Sequence, residues 1–106
     1  MFEPGANLDA GAFQALDRAL IQVLDVRERW EYDLAFIPGA ILLPLGELMD
    51  RAGELDPRRP VIVYCHHGMR SLQAQRYLQG EGFTQVANLR GGIDAYSRLD
   101  PSVPRY

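Results

Sequence analysis

An unbroken apolar run, Val61-Ile62-Val63-Tyr64, sits in the middle of the chain between Pro60 and Cys65. It is rich in β-branched residues and has no polar face, so a strand formed here has to be covered on both sides. Parallel strands with helices on both faces meet that requirement, and parallel strands are joined only by crossover connections. The run therefore predicts an α/β fold with an open parallel sheet.

The flanking sequence supplies the other parts. Residues 1–8 form a lead-in with room for a short edge strand. Asp9 is placed to cap a helix over 10–19, with Phe13, Leu16 and Leu20 on one face. Residues 21–26 read as a parallel strand. A short helix is expected over 28–33, with Trp30 packed on the domain, and then a strand over 40–42. Residues 44–55 suggest a helix burying Leu45, Leu48 and Met49, broken by Gly53. Helix 71–80 buries Ala74, Tyr77 and Leu78 and ends at Gly82. A strand follows over 84–89, and Gly92 opens a terminal helix. The tail from Asp100 carries two prolines and is expected to lie along the surface. No linker or repeat interrupts the order, so residues 1–106 read as one domain.

After the central strand the sequence runs Cys65-His66-His67-Gly68-Met69-Arg70-Ser71. This turn lies at the carboxyl end of the sheet, where open α/β folds place their sites. Its cysteine is the only one in the chain. A thiol becomes a nucleophile on ionising, which a helix N-terminus, free backbone N–H groups and an arginine all favour. Successive N–H groups of a tight turn also form an anion-binding concavity. Arg70 in the first helical turn opposes the helix dipole unless an anion is shared with it. Residues 65–70 thus read as a cradle for an anionic group bonded to, or attacked by, an accessible sulfur. A lone cysteine is more often a small buried hydrophobe, and it is the combination at one strand end that favours function. His66 and His67 are not taken as metal ligands, because sequence neighbours diverge and no partner set of Cys or His exists elsewhere.

The loop CHHGMRS resembles the active-site loop of the rhodanese family of sulfurtransferases, and the resemblance extends over nearly the whole chain. Leu24-Asp25-Val26-Arg27-Glu28 is similar to the family's LDVRE segment, and Phe36-Ile37-Pro38-Gly39-Ala40 to its HIPGA segment. Arg90-Gly91-Gly92-Ile93-Asp94-Ala95-Tyr96 is similar to a segment in which tryptophan is frequent where Tyr96 stands. The usual Gly-His pair before Ile-Pro-Gly-Ala is Ala35-Phe36 here, with Phe36 expected to fill the space by packing. The two glycines are expected to allow close backbone approach to the loop.

The resemblance implies a two-step transfer. Cys65 is the nucleophile that takes a sulfane sulfur from a small donor such as thiosulfate and carries it as a persulfide. A thiol, a protein or, in an assay, cyanide then accepts it. His66, His67, Gly68, Met69 and Arg70 form the substrate-binding loop. Its amides hold the terminal sulfur, Arg70 attracts the donor's oxyanion end, and the His66, His67 and Met69 side chains point outward. Asp25, Arg27 and Ser71 support it, the first two as a structural pair. No metal or organic cofactor is required.

Composition narrows the partners. A net charge of −3, with eleven arginines and no lysine, offers no general attraction to nucleic acid or anionic membrane. The single cysteine cannot form an internal disulfide, which fits a reducing compartment. No apolar run approaches the roughly 18 residues of a membrane span. The N-terminal residues lack the basic start and apolar core of a secretory signal, so a cytoplasmic location is expected.

Two rivals stand beside sulfur transfer. Cysteine phosphatases also pair a thiolate with an anion-binding loop and an arginine, but with five intervening residues against four here, and the tighter loop suits one sulfur atom better than a phosphate. The other is a binding module of the same fold without catalysis, or a relay in which Cys65 takes sulfur from a desulfurase and passes it to a protein.

Overall fold

The computed structural model describes residues 2–106. Five parallel strands form one sheet in the order β1-β5-β4-β2-β3. They are β1 (Asn7–Leu8), β2 (Gln22–Asp25), β3 (Ile41–Leu42), β4 (Val61–Tyr64) and β5 (Val86–Leu89). The helices are α1 (Ala10–Gln14), α2 (Arg29–Leu34), α3 (Leu48–Arg51), α4 (Met69–Gly80) and α5 (Gly92–Leu99).

All four residues of β4 are fully buried, as a strand without a polar face requires. The two-residue period of the strands sorts their side chains into two cores. Val23, Ile62, Tyr64, Ala87 and Leu89 face one side, where they meet Phe13 of α1 and Ile93 and Tyr96 of α5. Leu24, Val61, Val63 and Val86 face the other side, against Leu48 of α3 and Ala74 and Leu78 of α4. Burying one such Leu or Phe stabilises the fold by roughly 1.5–3 kcal/mol, so the two layers together fix the register.

The chain leaves β2 toward one edge of the sheet and β4 toward the other. The cleft between their carboxyl ends is the switch point where α/β sheets place ligands. Asp25 pairs in register with Tyr64, which puts Asp25, Tyr64 and Cys65 at that position.

Several local expectations are corrected. The first helix spans only Ala10–Gln14, capped by Asp9 Oδ1 accepting from the Ala12 N–H at 2.8 Å, and a separate 3-10 turn, Arg18–Leu20, follows. Leu20 is consequently exposed. Residues 45–54 form two 3-10 turns around the short α3 in place of one helix, so Leu48 is buried while Met49 projects into solvent. Trp30 is also exposed, because α2 turns Glu31 inward instead. Phe36 is half-exposed and stacks on Tyr32 at 4.6 Å, leaving the buried positions to Ala35 and Ile37. The tail is only partly a surface segment, since Val103 is buried and Tyr106 reaches the carboxyl end of the sheet. No helix among the described residues is long and apolar enough to cross a membrane.

Candidate active site

Cys65 follows the last residue of β4, and Gly68, at φ +112°, turns the chain into α4. Such a φ strains any residue with a Cβ, so the fourth position of the loop calls for glycine. The turn is held from outside by α5, whose Ile93 and Asp94 N–H groups donate to the carbonyls of Cys65 and His66 at 2.9 and 3.1 Å. Those bonds draw the loop's carbonyls outward. Its amides are left facing the sulfur, and the Gly68 N–H donates to Cys65 Sγ at 3.0 Å.

The residue itself is 2% exposed, in place of the accessible thiol expected from the sequence. It belongs to the same buried cluster as Val26, Val63 and Ala74, and its sulfur meets the Gly68 N–H and the Ser71 hydroxyl. Burial pushes the thiol's pKa up. The Ser71 hydroxyl and the backbone N–H groups of Ser71, Gly68 and Arg70 outweigh that and hold it below the ordinary cysteine value.

Ser71 Oγ lies 3.4 Å from Sγ and donates to Asn88 Oδ1. The Asn88 amide orientation is fixed by donation to Asn7 Oδ1 at 3.1 Å and to the Gly68 carbonyl at 3.4 Å. The hydroxyl has one proton and two acceptors, Asn88 and the sulfur. While the thiol is protonated, that proton rests on Asn88; when the thiol ionises, it can turn to Sγ. Asn88 carried no motif and was not anticipated from the sequence.

Asp25 and Arg27 form a buried bidentate ion pair, Nε to Oδ1 at 3.0 Å and Nη2 to Oδ2 at 2.7 Å, with both side chains fully excluded from solvent. Tyr64 donates its hydroxyl to Asp25 Oδ2 at 2.7 Å and accepts the Ile37 N–H. Arg27 also donates to the Ala35 carbonyl at 2.6 Å and to the Tyr106 hydroxyl at 2.7 Å. Burial works against its charge, but the bonds to Asp25 and Tyr106 prevail and raise its pKa.

Arg70 does not point freely into the cradle. Its Nη1 and Nη2 lie on Glu31 Oε1 and Oε2 at 2.6 and 2.8 Å. Glu31 is thus the anion that offsets a cation in the first turn of α4. The hydrogen bonds from Arg70 outweigh burial and hold the Glu31 carboxyl down to about 2. Tyr106 donates its hydroxyl to Glu31 Oε2 at 2.8 Å. Neither Glu31 nor Tyr106 was identified from the sequence; the signal for Glu31 was its position four residues after Arg27, on the inward face of a short helix.

The His66 and His67 rings stack at 4.0 Å instead of diverging, and His66 stacks on Tyr106 at 4.2 Å on its other side. Burial and the neighbouring imidazole lower the His66 pKa below the ordinary histidine value. His67 and Met69 are exposed. His66, His67 and Asp94 each place a potential ligand atom within 4.8 Å of the others, although Asp94 is already paired with Arg98 at 3.0 Å. A cleft of about 490 Å³ lies at the amino end of β2, lined by Arg18, Gln22, Asp56 and Arg59, remote from the sulfur. Its arginines are occupied by carbonyl oxygens, and it holds no nucleophile.

Residues 10–99 match the family model described as Rhodanese-like domain. The chain is 42% identical over 90 residues to "Putative sulfur carrier protein YrkF" of Bacillus subtilis, covering 85% of this chain and 49% of that protein. It therefore spans about half of that relative's length. It is 30% identical over 102 residues to "Thiosulfate sulfurtransferase GlpE" of Coxiella burnetii, covering 96% and 94% of the two chains. Among solved structures, a rhodanese-related protein from Thermoplasma volcanium superposes with a TM-score of 0.83 at 27% identity, covering 90% of this chain and 93% of the other.

Proposed function

Because the chain belongs to the rhodanese-like domain family, we propose that it is a sulfurtransferase that moves a sulfane sulfur through a persulfide on Cys65. The observation that carries this reading is the aim of the loop amides. The Gly68 N–H reaches Sγ at 3.0 Å, and the Arg70 and Ser71 amides add to the stabilisation of the thiolate.

In the first step the Cys65 thiolate attacks the outer sulfur of the donor. A new S–S bond forms at Cys65 as the donor's own S–S bond breaks, and with thiosulfate the bond's electron pair leaves on sulfite. In the second step an acceptor nucleophile attacks the terminal sulfur and the electron pair returns to Cys65. Covalent catalysis divides the transfer into two displacements, and the amides stabilise the intermediate between them. Electrons balance without a redox partner, and no metal or organic cofactor enters either step. Acceptors are a thiol or a sulfur-carrying protein, and the reading places the chain in a reducing compartment, where Cys65 stays free.

Four residues separate Cys65 from Arg70, and a loop that short encloses one sulfur more closely than a tetrahedral phosphate. This disfavours a phosphatase. The test is formation of thiocyanate from thiosulfate and cyanide, abolished in Cys65→Ala with the fold retained. Hydrolysis of an aryl phosphate without any sulfur transfer contradicts the proposal.

A further inference from the structure

The Glu31 carboxylate is only 5% exposed, while the Arg70 side chain that it holds is 36% exposed. The partners of Glu31 come from three directions: both terminal nitrogens of Arg70, the Tyr106 hydroxyl and the Glu28 N–H at 3.1 Å. Tyr106 is itself fixed by Arg27 at 2.7 Å and by stacking on His66. A carboxylate with that many fixed partners does not swing aside when an anion arrives. Arg27 is bound to Asp25, and the His66 ring is held between those of His67 and Tyr106. Arg70 therefore meets an incoming anion already paired with a fixed carboxylate.

Resting on the sulfur-transfer reading, we propose that Glu31, braced by Tyr106, is a specificity-determining residue that disfavours free dianionic donors and selects organic persulfides, R–S–SH, as the source of sulfur. A dianion such as thiosulfate has to share Arg70 with Glu31 and meets like charge there, because its oxyanion group is bonded directly to the transferred sulfur, whereas the reacting end of a persulfide carries no oxyanion that needs the arginine. The loading step is Cys65–S⁻ + R–S–SH → Cys65–S–SH + R–S⁻. The donor's S–S bond breaks, the new one forms at Cys65, and the leaving thiolate takes the electron pair. Thiosulfate remains a donor at high concentration. Glu31 touches neither sulfur nor substrate, so it acts as a positioning residue through Arg70.

The test follows Cys65 persulfidation by quenched mass spectrometry against the concentration of thiosulfate or cysteine persulfide, in the full chain and in Glu31→Gln. For thiosulfate, the variant is expected to lower the half-saturating concentration by about tenfold, a change of the size one charge interaction makes, at an unchanged limiting rate. For cysteine persulfide both parameters are expected to stay within about twofold. A merely structural role would instead depress the limiting rate for both donors, and that outcome overturns the proposal. So does an unchanged half-saturation for thiosulfate. Tyr106→Phe removes one hydrogen bond to the carboxylate while leaving its charge in place, and is expected to shift thiosulfate half-saturation in the same direction by less. If Glu31→Gln does not fold, no shift in Tyr106→Phe overturns the proposal. Loading from neither donor in the unaltered chain would overturn sulfur transfer itself, an outcome distinct from loading that ignores Glu31.

Discussion

Gly92 lies so close to Cys65 that a Cβ on it would stand 2.4 Å from the Cys65 carbonyl oxygen, and as close to that of His66. The residue is also at φ +60°. Contact at this distance is what lets the first turn of α5 bind the loop's carbonyls and leave its amides to the sulfur. Gly92→Ala combines a backbone clash with a left-handed conformation. It is expected to cost at least about 2 kcal/mol in urea denaturation and to impair sulfur loading. Gly46→Ala is the control, with open space around it, and should stay within about 0.5 kcal/mol.

The Asp25–Arg27 pair leads to a second expectation. Asp25→Asn leaves the Arg27 guanidinium charged and buried with no counter-charge on its Nε and Nη2, and removing one partner of a buried pair costs about 3–5 kcal/mol. Equilibrium denaturation measures it. A loss below about 1 kcal/mol, the level of an exposed ion pair, would show that solvent reaches the pair.

Glu31 makes stability depend on acid. Its carboxyl is held at about 2 in the fold against 4.5 for an unperturbed glutamate. A depressed carboxylate pKa contributes stability above the unfolded value, and that contribution fades as pH falls from about 4.5 toward 2. The lost part is on the order of 3 kcal/mol for this nearly buried group. Glu31→Gln should flatten the pH dependence of the denaturation free energy across that window. An identical slope in the variant would contradict the ion pair with Arg70.

Ser71 tunes the nucleophile. Alkylation of Cys65 followed against pH should have a midpoint below the roughly 8.5 of a free cysteine. Ser71→Ala removes one of the bonds that favour the thiolate, so the midpoint should rise. A midpoint at or above the free value in the unaltered protein would contradict the amide cradle.

What the sequence disclosed follows from how local each determinant is. The apolar run of β4, the turn at Gly68 and the cysteine between them are consecutive, so strand, loop and helix could be read in order. The pattern of strands alternating with helices gave the parallel sheet and its carboxyl-end site. Asp25 and Arg27 are two residues apart and were expected as a pair. Helix extents failed where packing overrode periodicity: Leu20 ends a separate 3-10 turn, Met49 lies on the outer side of the one-turn α3, and Trp30 faces solvent because α2 turns Glu31 inward. The contacts of Glu31 with Arg70, and of Tyr106 with Arg27 and His66, join residues separated by 39 or more positions, which no local pattern encodes. The sequence offered a buried and an accessible reading of Cys65 side by side, and only the packing decides between them, by placing the residue in one core cluster with Val26, Val63 and Ala74.

The most direct measurement is the mass of the intact protein, and of its Cys65 peptide, after incubation with a sulfane-sulfur donor and removal of the excess. The account predicts one added sulfur on Cys65, lost again on addition of cyanide or a thiol and absent in Cys65→Ala. A chain that gains no sulfur from thiosulfate or cysteine persulfide, with Cys65 still reduced and the fold intact, would contradict it.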